Sequence, residues 1–325
     1  MNKVSVIGAG NVGATAAMKI AELGIFDKIV LLDIKEGVAE GKAMDIMQSL
    51  MMKWNNNTVV IGTTNDYTKT AKSDIIVITS GMPRKPGMTR EELVGVNSKI
   101  MASVLDQATK YSPDATFVVV SNPMDTMTQM VRDYLIKNYG SMWDIDRKVI
   151  GLGGSLDSAR FKYTIWAKLN EKMPDAGFVP DDVQNAYVLG GHGDKTMIPV
   201  VDEVTVYGNP LTNYFNADEI ADVVDRTMRG GAILTGLLGT SAWEAPAQAI
   251  ADMCASIYEG NDEMFTASVW REEYGCCIGS LIQLTEDAYG APKVYIDKDF
   301  EEPVKERLLE SVEAVKKVNE ALKSE

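Results

Sequence analysis

Residues 4–13 run Val4-Ser5-Val6-Ile7-Gly8-Ala9-Gly10-Asn11-Val12-Gly13. A short apolar, β-branched run leads directly into G-x-G-x-x-G, and an amphipathic helical pattern follows at about residues 12–23. The glycine spacing alone arises often by chance; the strand before it and the helix after it supply the context that the motif requires. Gly8 permits the tight bend, Gly10 lets the main chain approach a pyrophosphate, and Gly13 allows close packing of helix on strand. Ala9, Asn11 and Val12 complete a turn whose helix N-terminus offers free N–H groups and a positive dipole end to phosphates. A second run, Ile29–Leu32, ends in Asp33, twenty residues past Gly13. A carboxylate there accepts hydrogen bonds from both ribose hydroxyls of an adenosine and repels a 2′-phosphate, which favours NAD over NADP.

The alternation continues outward. Val59–Ile61, Ile75–Thr79, Thr116–Val120 and Val149–Ile150 read as further strands, and residues 37–51, 91–111 and 125–138 as helices. Several of the strand runs are apolar without alternation, as parallel strands buried on both faces are. The expectation for residues 1–151 is an α/β, Rossmann-type doubly wound parallel sheet with right-handed crossovers. Ligands of such sheets sit outside the C-terminal strand ends. Ser80-Gly81 and Ser121-Asn122-Pro123 fall at that edge. Beyond it the pattern changes. Helical stretches near 156–171, 217–238, 245–258 and 303–323 mix with strand-like runs near 184–189, 200–206, 264–270 and 278–284. Residues 152–325 are therefore expected to form a mixed α+β substrate and catalytic domain. No flexible linker separates the halves, so an extensive shared interface is expected.

Composition narrows the function classes. A chain of 325 residues is long enough for roughly two domains. Asp and Glu number 46 against 32 Lys and Arg, a formal charge of −14. Nucleic acids and anionic membrane surfaces both demand a basic footprint, so neither is an expected partner. No run approaches the ~18 apolar residues of a membrane helix. The apolar N-terminal stretch is too short for a secretory signal, so a cytoplasmic setting is expected. Cys254, Cys276 and Cys277 with a single histidine make neither a disulfide framework nor a His/Cys zinc site, and no metal is expected.

That single histidine, His192, stands in Gly190-Gly191-His192-Gly193-Asp194. A lone histidine is more often structural than chemical. Here the flanking glycines leave the main chain open to a ligand, and any imidazole acid–base chemistry has to use this residue. Leu156-Asp157-Ser158-Ala159-Arg160 sets Asp157 and Arg160 three apart on one helix face. Such a pair can be a surface salt bridge worth a few tenths of a kcal/mol. Alternatively, Asp157 accepts the second ring N–H of His192, and Arg160 grips a substrate carboxylate with its two-pronged fork. Met82-Pro83-Arg84-Lys85-Pro86-Gly87-Met88-Thr89-Arg90 carries three cations at the same edge of the sheet, and looks like a loop that closes over a ligand.

Taken in order, Gly8–Gly13, Asp33, Pro83–Arg90, Asn97, Val120-Ser121-Asn122-Pro123, Leu156–Arg160 and Gly190–Asp194 resemble the lactate/malate dehydrogenase superfamily over essentially the whole chain, and within it the lactate-dehydrogenase-like malate dehydrogenases of bacteria. The resemblance implies that His192 is the proton donor and acceptor and Asp157 its orienting carboxylate. It implies that Arg160 holds the C1 carboxylate of substrate, that Arg90 polarises the reacting C–O bond, and that Asn97, Val120, Ser121 and Asn122 contact the cofactor. Asn122 also touches substrate, and the Asn122–Pro123 bond is cis. Arg84 replaces the glutamine of lactate dehydrogenases and would meet a second carboxylate, which selects malate and oxaloacetate. Pyruvate would leave that guanidinium unpaired in a closed site. The implied activity is reversible NAD-dependent oxidation of (S)-malate to oxaloacetate, a tricarboxylic acid cycle step, by a homo-oligomer (dimer or tetramer). NAD-dependent glycosidases share a related fold but need a divalent metal on Cys and His ligands, which one histidine and late cysteines do not supply. The stretch Tyr274–Gly290, with its vicinal cysteines, departs from the family pattern.

Overall fold

The computed structural model describes residues 2–83, 90–140, 145–260, 264–286, 292–295, 300, 302–320 and 322. Strand β1 (Lys3–Ile7) is buried at all five positions. It feeds the glycine turn and helix α1 (Asn11–Leu23), which ends where Gly24 takes a left-handed φ of 70°. Then follow β2 (Lys28–Asp33), α2 (Val38–Leu50), β3 (Val59–Thr64), β4 (Ile75–Ile78), α3 (Arg90–Tyr111), β5 (Thr116–Val119), α4 (Met124–Tyr139) and β6 (Val149–Gly151). These strands pair in parallel in the order β3-β2-β1-β4-β5-β6. The order reverses between β1 and β4, and the crevice outside the carboxyl ends at that point is where such sheets take ligands. The continuous apolar runs are explained by burial on both faces: Ile75, Ile76, Val77 and Ile78 are all at most 1% exposed.

The second half comprises α5 (Gly153–Lys172), β7 (Val183–Gln184), β8 (Val188–Gly190), β9 (Met197–Pro199), β10 (Thr205–Val206), β11 (Asn209–Pro210), α6 (Ala217–Met228), α7 (Gly230–Leu238), α8 (Glu244–Glu259), β12 (Met264–Arg271), β13 (Cys276–Glu286), β14 (Pro292–Tyr295) and α9 (Glu302–Glu320). Among the described residues the sheet does not stop at β6. It turns antiparallel at Ser268↔Gly151 and runs on through β12, β13, β8 and β9 to eleven strands, with β14 beside β13. A separate three-stranded sheet holds β11, β10 and β7. The halves also share a core. Ala16, Ala17, Ile20 and Ala21 of α1 belong to the same buried cluster as Ala247, Ile250, Ala251 and Cys254 of α8. Small side chains on both helices permit that close approach.

Three second-half readings differ from the sequence pattern. The run 184–189 is two strands in different sheets, because Asn185 adopts a left-handed φ of 57°, a conformation that asparagine tolerates. The run 200–206 contains a single 3-10 turn, Val201–Glu203, and only Thr205–Val206 is paired. The helix over 217–238 is broken at Arg229 into α6 and α7, beside Gly230 and Gly231. An added Cβ there would lie 3.4 Å from Arg160 Cδ and 3.5 Å from Arg160 Nη1, so the break falls where that side chain passes. Among the described residues, no helix is long and apolar enough to cross a membrane.

Candidate active site

At the switch point the main chain does most of the shaping. Gly8 has φ 110°, and a Cβ on Gly13 would sit 1.9 Å from the Gly8 carbonyl oxygen, so neither position accepts a side chain. Gly10 differs. Its φ is −68°, and an added Cβ would meet nothing within 4 Å. Among the described residues nothing demands a glycine there, and the open space leaves room for a group approaching from outside. The first turn of α1 has no side-chain cap and no acidic residue, which leaves the N–H groups of Asn11, Val12 and Gly13 for an anion. Asp33 closes the end of β2. Its Oδ2 accepts the Ala9 N–H at 2.6 Å and its Oδ1 the Lys35 N–H at 2.9 Å, which hold the carboxylate at the crevice edge with lone pairs to spare. Ser80 Oγ, beside Gly8, is buried with no hydrogen-bond partner among the described residues. These features fit a dinucleotide.

The loops after β4 and β5 are stapled together by Asn97, which is 2% exposed. Its Oδ1 accepts the Met82 N–H at 2.7 Å, and its Nδ2 donates to the carbonyls of Met82 at 3.1 Å and Asn122 at 2.6 Å. Ser121 Oγ donates to the Ser80 carbonyl at 2.5 Å, next to Val120 at the end of β5. The Asn122–Pro123 peptide is cis. Arg84 lies outside the described residues. Arg90 opens α3, and its side chain lies outside them too.

His192 follows β8 on a tightly tied turn. Gly190 has φ 81°, Gly191 N–H donates to Ser311 Oγ at 2.9 Å, and Thr196 Oγ1 donates to the Gly191 carbonyl at 2.8 Å. The start of α5 lies flush beneath the ring, since a Cβ on Gly153 would be 2.7 Å from His192 Cβ and Cγ. His192 Nδ1 lies 2.6 Å from Asp157 Oδ2, and Arg160 Nη1 donates to Asp157 Oδ1 at 3.1 Å. The Asp157 side chain is 2% exposed, Arg160 16% and His192 19%. The i,i+3 pair is therefore not a solvated surface bridge, and one buried carboxylate serves both the imidazole and the guanidinium. Arg160 Nε is buried without a partner among the described residues, so that fork has a donor to offer.

Burial pulls the His192 imidazole down. The Asp157 carboxylate, by charge and by hydrogen bond, together with the charge of Asp125, outweighs this and leaves His192 above its ordinary range, with Arg160 opposing. Asp125 escaped the motif reading. Its Oδ2 accepts the His192 main-chain N–H at 2.7 Å and its Oδ1 the Ser268 hydroxyl at 2.7 Å. Burial pushes its carboxyl up, against the pull of those two hydrogen bonds. An aspartate in the first turn of a helix is so common a dipole partner that its sequence position carried no separate signal.

Comparison with known proteins follows the same two halves. Residues 2–137 match the lactate/malate dehydrogenase NAD binding domain, and residues 154–325 match the lactate/malate dehydrogenase alpha/beta C-terminal domain. A malate dehydrogenase of Parabacteroides distasonis is 47% identical, over 99% of this chain and 98% of that protein. The malate dehydrogenase structure from Salinibacter ruber superposes with a TM-score of 0.86 at 34% identity, over 99% of this chain and 98% of that one. A Cryptosporidium parvum lactate dehydrogenase complexed with lactic acid and nicotinamide adenine dinucleotide gives 0.86 at 29% identity, over 100% and 98%. A glycine turn shaped for a dinucleotide, a sheet carried unbroken into the histidine half and full-length similarity in both halves lead to one assignment: the chain is an NAD-dependent oxidoreductase belonging to the lactate/malate dehydrogenase family.

Proposed function

We propose that the chain interconverts (S)-malate and oxaloacetate, with residues 1–151 holding NAD and residues 152–325 holding substrate. The observation that carries the reading is the grip of one buried carboxylate, Asp157, on both His192 and Arg160. With Nδ1–H donated to Asp157, the Nε2 lone pair is the one left for a substrate hydroxyl. In oxidation, neutral His192 takes that proton and Asp157 stabilises the imidazolium. Arg160 meets the C1 carboxylate, Arg84 the second one, and Arg90 steadies charge on the reacting oxygen. NAD, when bound, would supply the hydride acceptor for C2. Gly8, Ala9, Gly10, Asn11, Val12 and Gly13 would cradle its pyrophosphate, Asp33 its ribose, and Val120, Ser121 and Asn122 its nicotinamide end. Asn97 serves that end by fixing the Asn122 carbonyl.

The relatives named as malate dehydrogenases at 45–47% identity favour malate over lactate. A cytoplasmic tricarboxylic acid cycle enzyme is the setting we infer. A homo-oligomer is supported by α7, an apolar helix with no buried residue, on which Leu237 is 79% exposed. The decisive assay is NADH oxidation with oxaloacetate and with pyruvate, on the native chain and on Arg84→Gln. Native preference for oxaloacetate by ~10³-fold or more in kcat/KM is expected, relaxing toward pyruvate in the variant. Equal use of both substrates by the native chain would reduce the assignment to a general 2-hydroxyacid dehydrogenase.

A further inference from the structure

Asp125 lies outside every motif quoted above, yet it touches the histidine turn directly. It stands on the first turn of α4, two residues past Pro123, and is 6% exposed. Its two oxygens go to different elements. Oδ2 takes the main-chain N–H of His192, 67 residues away, and Oδ1 takes the hydroxyl of Ser268 on β12, 143 residues away. One side chain thus ties three segments: the Asn122–Pro123 turn and α4 from the first half, and the β8 turn and β12 from the second. A buried carboxylate is costly to keep, and an apolar residue could pack α4 against β12. What an apolar residue could not do is accept the N–H of His192. That hydrogen bond restrains the main chain at the histidine, and with it the direction of the Cα–Cβ bond that carries the imidazole. Asp157 fixes the rotation of the ring from Nδ1; it does not fix where the ring is anchored relative to the first half.

We propose that Asp125 is a positioning residue which, through the main-chain N–H of His192, holds the imidazole in register with the Asn122–Pro123 turn. It thereby sets the reach of Nε2 to a substrate lying on the nicotinamide side of the crevice. The inference rests on the reading of His192 as the base. It assigns the work to the two hydrogen bonds, both of which an asparagine can reproduce: its Oδ1 accepts from His192 N–H and its Nδ2 donates to Ser268 Oγ. Alanine reproduces neither.

The test compares Asp125→Ala, Asp125→Asn, Ser268→Ala and His192→Asn. Steady-state oxaloacetate reduction and NADH affinity by fluorescence titration are measured on each. Asp125→Ala is expected to lower kcat ~100-fold, the scale of an ångström-sized misplacement, with NADH affinity nearly unchanged. Asp125→Asn is expected to recover ~10-fold or more of that loss. A kcat in Asp125→Ala within about threefold of native overturns the proposal, as does an Asp125→Asn that loses as much as the alanine variant. Should Asp125→Ala not fold, Ser268→Ala decides. It frees only one oxygen, so a kcat reduced about threefold to tenfold at unchanged NADH affinity supports the proposal, and a native kcat overturns it. Native turnover in His192→Asn would remove both the base and this inference. Lost turnover there, with native turnover in Asp125→Ala, removes the inference alone.

Discussion

Around Gly8–Gly13 the shaping is mostly main-chain: a bend with φ 110° at Gly8, an open Gly10, and the uncapped N–H groups of α1, with the Asp33 carboxylate at the edge. Around His192 it is done by side chains. An imidazole, two carboxylates, a guanidinium and a serine hydroxyl are brought together from α4, α5, β8 and β12. On the proposed function, the first region recognises by leaving atoms out, and the second reacts by holding charged atoms at set distances. The two should therefore fail differently. Damage to the glycine turn should act on cofactor affinity, and damage to the cluster on turnover.

His192→Asn is the largest test of that division. Loss of a general base is expected to lower kcat by ~10²–10⁴-fold while NADH titrates almost normally. A parallel loss of NADH binding would show that the regions are not separable. Gly13→Ala is the reciprocal test. The new methyl would lie 1.9 Å from the Gly8 carbonyl oxygen, so the turn has to open. Overpacking strain of ~1–3 kcal/mol corresponds to roughly 5–150-fold weaker NADH binding, with kcat at saturating NADH nearly kept. Asp157→Asn sharpens the comparison with a smaller effect. On the proposed mechanism malate oxidation needs neutral His192, so its rate is expected to rise as pH passes the raised pKa, while reduction needs the protonated ring and is expected to fall there. Burial lowers that pKa and Asp157 supplies the main opposing pull. Removing the carboxylate is therefore expected to move both limbs of the kcat/KM–pH profiles to lower pH. Unmoved limbs would show that another group titrates.

The same contrast explains what could be read without coordinates. The first six strands and their helices were legible because each is a local run, and the cofactor turn because six consecutive residues contain it. The Asp157–His192 contact spans 35 residues and was reached through the chemistry that a single histidine must perform, helped by family resemblance. Asp125 and Ser268 were not reached, since nothing local distinguishes an aspartate that accepts a distant N–H from one that merely favours a helix start. The second half was read less well for a similar reason. Its short strands depend on single residues, such as Asn185 with φ 57°, and on partners far along the chain. The helix break at Arg229 falls beside the Arg160 side chain, a neighbour that no periodicity records.

The unbroken sheet has a mechanical consequence. A jaw needs a seam, and among the described residues the halves are joined instead: β6 and β12 are hydrogen-bonded neighbours, and α1 and α8 share one core. Swinging one half against the other would tear the Ser268↔Gly151 pairing and pull Asp125 away from both His192 and Ser268. The glycine turn and the histidine turn are thus both carried by strands of one continuous sheet. On the proposed mechanism, the distance from the glycine turn to His192 is then set by the fold itself, because both are built on one hydrogen-bonded sheet.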